Sequence, residues 1–388
     1  MKTSETAHRL IYSIAHRIAP LLVRSYNFKT TPVPDPGEPY IVLANHTTER
    51  DMVMLATAFR KHMYFVCGEH LFRTSFGKAL RLLFDPIPAP RGGSMVKATM
   101  EILRRCKRGH NIMMFPEGCR SFHGETLPQS PVIGKLVKKS GHALITYRTR
   151  GGYFIAPRWA YEFRPGQAEG AVVNVYSSAD LAKMSAQEVT DAINRDIFEN
   201  AYDSQTATPY PYRAKRLAEG LENYLVICPK CGSYDTMQTR DDRFHCTCCG
   251  LGGVYDEYGF LNGDELPFRR VDEWGKWMED RYARNLSEKA PDALLFTEQD
   301  IQLYDVTSDH RRIDREKGEL RIYRDRLEFG GDTFDFENIS ALSLLYYGKT
   351  VLFTHKGRYV GMTGEAFHAW KIEQLYLLHS QLARLPAP

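Results

Sequence analysis

The chain has 388 residues, of which 43% are hydrophobic, 25% charged and 12% aromatic; this supports a folded core in more than one domain and excludes a disordered or low-complexity chain. A net charge of +4 and a mean hydropathy of −0.40 suit an anionic surface or anionic small substrates and argue against nucleic acid as a partner. No run approaches the roughly 18 apolar residues of a spanning helix and no signal-peptide core opens the chain, so a cytoplasmic protein is expected, its cysteines serving as thiols or metal ligands.

Residues 5–26 place Leu10, Ile14, Ile18 and Leu21 at helical spacing, with Arg9, Arg17 and Arg24 mostly opposite. This predicts an amphipathic helix that either lies in a membrane interface or packs on the core; the periodicity is the same for both. Strand-like and helix-like segments then alternate: strands at 40–44, 63–66, 111–115, 143–147 and 171–176, and helices at 50–59, 69–84, 94–109, 130–141 and 185–202. Ser94 is read as an N-cap, Gly141 as a C-terminal stop, and Ser185 with Glu188 as a capping box. Such alternation predicts an α/β sandwich around a mostly parallel sheet. Beyond a Pro- and Tyr-rich stretch at 208–212 come a short helix, a cysteine cluster, a Trp-bearing helix at 271–284, and short strands from Leu294 onward with Leu320, Ile322, Leu327 and Phe329 on one face. A final helix over 365–382 completes a β-rich module of pleckstrin-homology-like shape. The divisions expected are 1–29, 30–210, 211–265 and 266–388.

Two clusters carry chemistry. In Asn45-His46-Thr47-Thr48-Glu49-Arg50-Asp51, a strand end runs into a helix start. A histidine five residues before an aspartate can give its Nδ1 proton to the carboxylate, which sets the tautomer and leaves Nε2 as the base for a hydroxyl. Arg91 stands in the loop 88–93, and Phe115-Pro116-Glu117-Gly118-Cys119-Arg120-Ser121 follows another apolar strand. The second cluster is Cys228-Pro-Lys-Cys231 and, fourteen residues on, Cys246-Thr-Cys248-Cys249. Paired Cys-x2-Cys knuckles suit a tetrahedral zinc ion held by Cys228, Cys231, Cys246 and Cys249, with Cys248 left over. A four-thiolate site keeps no open position, so its role is structural.

The ordered set Asn-His-x4-Asp, a loop arginine, and Phe-Pro-Glu-Gly-x-Arg-Ser resembles the glycerolipid acyltransferases, the family that includes lysophosphatidate acyltransferase, over roughly residues 35–205. The resemblance implies transfer of a fatty acyl group from acyl-CoA or acyl carrier protein to the free hydroxyl of 1-acyl-glycerol 3-phosphate, giving phosphatidate. It further implies that His46 is the base and Asp51 its orienting partner. Arg91 would bind phosphate, and Glu117, Gly118, Arg120 and Ser121 would form the wall for the glycerol phosphate. No catalytic cofactor is implied, and the expected location is peripheral, on the inner face of the cell membrane. The chain departs from the family at Cys119, where threonine is usual, and at 144–153, where Arg148 and Arg150 are read either as headgroup ligands or as exposed strand arginines. Acylation of another lysolipid, or a silent membrane scaffold recruited through the ribbon, are the rival readings. Metal removal is expected to unfold the ribbon and leave the chemistry of an isolated catalytic domain unchanged.

Overall fold

The computed structural model describes residues 5–73, 75–90, 95–290, 292–307 and 311–382. Arg91 and Ser94 lie outside the described residues.

Helix α1 (Glu5–Leu22) precedes a seven-stranded sheet built from β1 (Lys29–Thr30), β2 (Tyr40–Ala44), β3 (Met63–Gly68), β4 (Ile87–Ala89), β5 (Asn111–Met114), β6 (Ala143–Arg150) and β7 (Glu169–Tyr176). Their spatial order is β1-β7-β6-β2-β5-β3-β4, and every pairing is parallel except β6 with β7. Helices α2 (Asp51–Ala58), α3 (Ser75–Phe84), α4 (Val96–Cys106) and α5 (Val132–Ser140) connect the strands. They are followed by α6 (Gly152–Ile155), α7 (Ser178–Lys183), α8 (Ala186–Ile197) and α9 (Ala201–Ala207).

Strand β2 is buried along its whole length because both sheet faces are covered, the usual fate of a parallel strand. Ile41 and Leu43 join the core formed with α4, α5 and α8, while Tyr40, Val42 and Ala44 join Tyr12 of α1 and Leu55 of α2 on the other face. The capping box at Ser185 and Glu188 forms, and Gly141 ends α5 at φ 66. The helix expected over 185–202 is broken in two, because the Asn200 side chain accepts from the backbone N–H groups of Tyr202 and Asp203 and starts α9 afresh.

A four-stranded antiparallel ribbon follows: β8 (Met237–Arg240), β9 (Arg243–Cys246), β10 (Gly252–Tyr255) and β11 (Leu261–Asn262). Helix α10 (Val271–Ser287) leads into a second seven-stranded sheet made of β12 (Leu294–Val306), β13 (Arg312–Tyr323), β14 (Arg326–Phe329), β15 (Asp332–Asp335), β16 (Ile339–Leu345), β17 (Thr350–His355) and β18 (Arg358–Thr363). All of its pairings are antiparallel. Instead of short segments, β12 and β13 run 13 and 12 residues. Register shifts at three places in their ladder interrupt the alternation by which a long strand is read. Helix α11 (Trp370–Leu382) closes the module.

The ribbon, α10 and the second sheet are not separate from the first domain. Trp159, Tyr153 and Phe154 share one continuous apolar core with Phe244 and Tyr255 of the ribbon, Trp274 of α10, and Leu320 and Trp370 of the last module.

Among the described residues no helix is long and apolar enough to cross a membrane. Helix α1 buries His8, Tyr12 and Ala19 and turns Leu10, Ile14, Ile18 and Leu21 outward. One side of the helix thus packs on the core through Tyr12, and the Leu10, Ile14, Ile18 and Leu21 stripe faces away from the protein.

Candidate active site

The C-terminal ends of the parallel strands β2, β3, β4 and β5 meet at one edge of the sheet, where the backbone turns outward and side chains of successive loops converge. His46 lies just past β2. Its Nδ1 is 2.8 Å from Oδ2 of Asp51, the first residue of α2, so the ring and carboxylate are joined across a single strand-to-helix turn. Asp51 is fully buried. Its Oδ2 also accepts from the backbone N–H of Thr47 at 2.5 Å and of Thr48 at 3.0 Å, and its Oδ1 from the Thr47 hydroxyl at 2.9 Å. Four donors on one carboxylate at a helix N-terminus fix it in place. A carboxylate beside Nδ1 directs the ring proton to that nitrogen and leaves Nε2 with its lone pair. The imidazole lies against Phe115 with ring centroids 4.4 Å apart and nearly parallel planes.

Asn45 fastens the other side of the turn, donating to the Thr149 carbonyl at 2.8 Å and accepting from the Thr149 N–H at 2.7 Å. Arg50 donates to the Leu22 carbonyl at 2.9 Å, and the Thr48 hydroxyl meets the Tyr26 hydroxyl at 3.0 Å. The end of α1 is thus tied directly to the His46 turn.

Glu117, expected in the substrate wall, spends both carboxyl oxygens on backbone. Oε1 accepts from the His46 N–H at 2.6 Å and Oε2 from the Leu127 N–H at 2.9 Å. It braces the two loops instead of offering a ligand atom. Burial pushes this carboxyl from its ordinary value of 4.5 up to about 8, against the two backbone N–H bonds that pull it down. The sign of the pH effect follows from a raised acid. The stability gained from keeping Glu117 protonated is complete below pH about 4.5 and is lost as pH rises through about 8. In melting curves, the Tm difference between the wild type and Glu117→Gln, whose side chain does not titrate, should shift toward the variant over this window. A pH-independent difference would show that Glu117 titrates at its ordinary value.

Gly118 sits at φ 70 with open space where a Cβ would be, so its left-handed backbone, closing the turn onto the Phe115 carbonyl, is the reason for glycine there. Arg120 donates to the Ala156 carbonyl at 2.9 Å and to Glu49 at 3.0 Å. Ser121 is buried and accepts from the Gly124 N–H; it lines a small secondary pocket beside His46, not the main opening. Arg150 lines the same small pocket as His46 and Ser121, and Arg148 does not. Arg148 donates twice to the Asp196 carbonyl and Arg150 donates to Glu199. Both line a different hollow with Lys29 and Glu169.

His46 and Arg120 open on a cleft of about 440 Å³, within the size range of small-molecule sites. Its lining also includes the polar Glu49 and Arg158 and the apolar Val66, Leu71, Met95 and Met114. Arg158 was not singled out as a site residue from the sequence, and no local motif marks it.

In the ribbon, the sulfurs of Cys228, Cys231, Cys246 and Cys249 all lie within 4.8 Å of one another. The separations of 3.6 Å for Cys228 to Cys249 and 3.7 Å for Cys231 to Cys246 match the ~3.8 Å expected of four sulfurs ~2.3 Å from one tetrahedral ion. Gly232 and Gly250, at φ 72 and 74, close each knuckle by donating to the Cys228 and Cys246 carbonyls. These four cysteines can hold a metal ion, and their donor set fits zinc. Cys248 is exposed, outside the cluster, and meets the Ser233 hydroxyl.

Residues 23–157 match the family model described as Acyltransferase. The match covers 135 of the 388 residues and includes the segments that carry His46, Asp51, Glu117 and Arg120. Among solved structures the chain is similar to the 1-acyl-sn-glycerophosphate (LPA) acyltransferase PlsC from Thermotoga maritima, at 19% identity over 51% of this chain and 82% of that one, with a TM-score of 0.42. No curated protein matches the chain.

Proposed function

We propose that the chain transfers a fatty acyl group from acyl-CoA or acyl carrier protein to the free hydroxyl of 1-acyl-glycerol 3-phosphate, giving phosphatidate. The observation that carries this reading is the His46–Asp51 pair, 2.8 Å apart, on a cleft lined by both charged and apolar residues. Nε2 of His46 takes the proton of the acceptor hydroxyl as its oxygen attacks the thioester carbonyl. The resulting imidazolium, steadied by Asp51, returns that proton to the departing thiolate. A thioester is already activated, so general base catalysis together with positioning meets the demand, and no acyl-enzyme is required. Arg120 and, from the loop outside the described residues, Arg91 supply charge for the phosphate. Glu117 and Gly118 keep the wall in shape, and Ser121 supports the turn behind it.

In this reading 30–210 is the catalytic unit, 211–265 a zinc ribbon, and 266–388 the β-rich module. Purified chain given either donor and a mixture of lysolipids should favour lysophosphatidate. Preference for a different lysolipid would transfer the assignment to that acceptor, and no transfer from either donor to any of them would favour a scaffold.

The outward stripe of α1 supports peripheral attachment to the inner face of the cell membrane. Inserting two isoleucines into the interface contributes roughly 1.5–3 kcal/mol each. The double substitution Ile14→Glu and Ile18→Glu should therefore lower partitioning onto anionic phospholipid vesicles at least tenfold, with turnover of short-chain soluble substrate retained. Equal sedimentation of both proteins with the vesicles would remove α1 from the membrane contact.

A further inference from the structure

The acyltransferase match ends at residue 157, yet the cleft does not. Leu344, Leu345, Tyr346 and Tyr347, from the corner between β16 and β17, line the same opening as His46 and Arg120. Arg158 fastens this corner. Its Nη2 donates to the Leu344 carbonyl at 2.6 Å and its Nη1 to the Arg120 carbonyl at 2.8 Å, while the guanidinium lies 4.1 Å over the Phe122 ring. The Tyr347 ring meets Tyr161 edge-on at 5.0 Å, and the Lys349 ammonium sits 5.7 Å over that same Tyr161 ring. The last module is therefore latched beside the backbone of Arg120.

The corner is also strained. Tyr346 and Tyr347 are consecutive and both left-handed, at φ 47 and 62, a conformation that bulky side chains rarely adopt and that concentrates at ligand-contacting sites. Interior packing does not account for it at Tyr346, which is 64% exposed. Tyr346 and Tyr347 present ring faces to the opening, each with a hydroxyl at its tip and neither charged, a surface that suits contact with an apolar chain.

We propose that Tyr346 and Tyr347, held by Arg158, form the wall of the cleft that contacts a substrate's fatty acyl chain and sets the chain length accepted. The inference rests on the acyl-transfer reading above. The chain can be that of the thioester donor or that of the lysolipid acceptor.

The test uses the full chain carrying Tyr346→Ala with Tyr347→Ala, beside Tyr346→Phe and Tyr346→Gly. Donors of graded length are assayed against one lysolipid, then lysolipids of graded length against one donor. The double variant should move the preferred length upward in one arm and alter kcat/KM for the formerly preferred chain about tenfold, the scale on which a pocket senses a methylene or two. The arm that moves names the chain. Tyr346→Phe keeps the ring and should keep the profile. Tyr346→Gly suits the left-handed backbone and should melt no lower than wild type while its profile changes, which separates recognition from misfolding. Unchanged profiles in both arms would overturn the proposal. If the wild type transfers no acyl group, calorimetric binding of non-transferable thioether analogues of graded length decides instead. A length dependence altered in the double variant keeps the wall although the reaction assignment fails, and one left unaltered removes both.

Discussion

Replacing His46 with alanine is expected to reduce acyl transfer by roughly 10²- to 10⁴-fold, the range contributed by a positioned general base, while leaving the protein folded. The imidazole is only partly enclosed, and its removal gives up the ring contact with Phe115 and the hydrogen bond to Asp51. The backbone N–H of residue 46 keeps its bond to Glu117, so the turn survives. Asp51→Asn should be more disruptive to the fold than to any single step. One amide oxygen cannot serve the four donors now shared by the carboxylate, and each buried donor left unmet costs about 1–3 kcal/mol. The measurement is kcat/KM with lysophosphatidate and both thioester donors, beside melting curves of each variant. A folded His46→Ala protein that retains wild-type turnover would exclude His46 as the base.

Removal of the metal is expected to have the second large effect, and a wider one than a self-contained ribbon would show. Binding of structural zinc contributes on the order of 10–16 kcal/mol in small zinc-dependent peptides, comparable to the roughly 5–15 kcal/mol by which a whole domain is stable. Cys228 and Cys246 are themselves part of the core that contains Trp159 and Tyr153. Trp159 meets Tyr255 of the ribbon edge-on at 5.4 Å, and the buried Arg164 donates to the Leu217 carbonyl and to the Tyr255 hydroxyl. The segment carrying Trp159 and Arg164 follows β6 and includes Arg158. Loosening the ribbon therefore disturbs the packing that supports the cleft, and the expectation of an isolated catalytic domain indifferent to the metal does not suit this shared core. Chelation, or Cys228→Ser, should lower Tm by about 10 °C, since a loss of about 8 kcal/mol shifts a chain of this size by roughly that much, and activity should fall with zinc release. Fresh protein with a zinc-to-chain ratio near zero, or a fully chelated chain with unaltered Tm and turnover, would rule the structural metal out.

What the sequence determined by itself was set by short separations. The His46–Asp51 pair spans five residues across one strand-to-helix turn, and each cysteine knuckle is a single tight loop ended by glycine, so local spacing alone specifies both geometries. The alternation of apolar strands with capped helices likewise announces an α/β sandwich, because each strand must be covered on both faces. The outcomes that only the tertiary structure decided depend on partners distant in the chain. Which side of α1 is buried follows from Tyr12 reaching the Phe59 carbonyl. The use of Glu117 as a brace follows from a bond to a residue 71 positions earlier. Arg148 and Arg150 meet Asp196 and Glu199 because the end of α8 crosses β6. The arrival of Leu344 at Arg158, across 186 positions, has no local signal at all. A carbonyl or carboxylate accepts whichever donor the fold delivers, and periodicity specifies the face of an element without naming what will cover it.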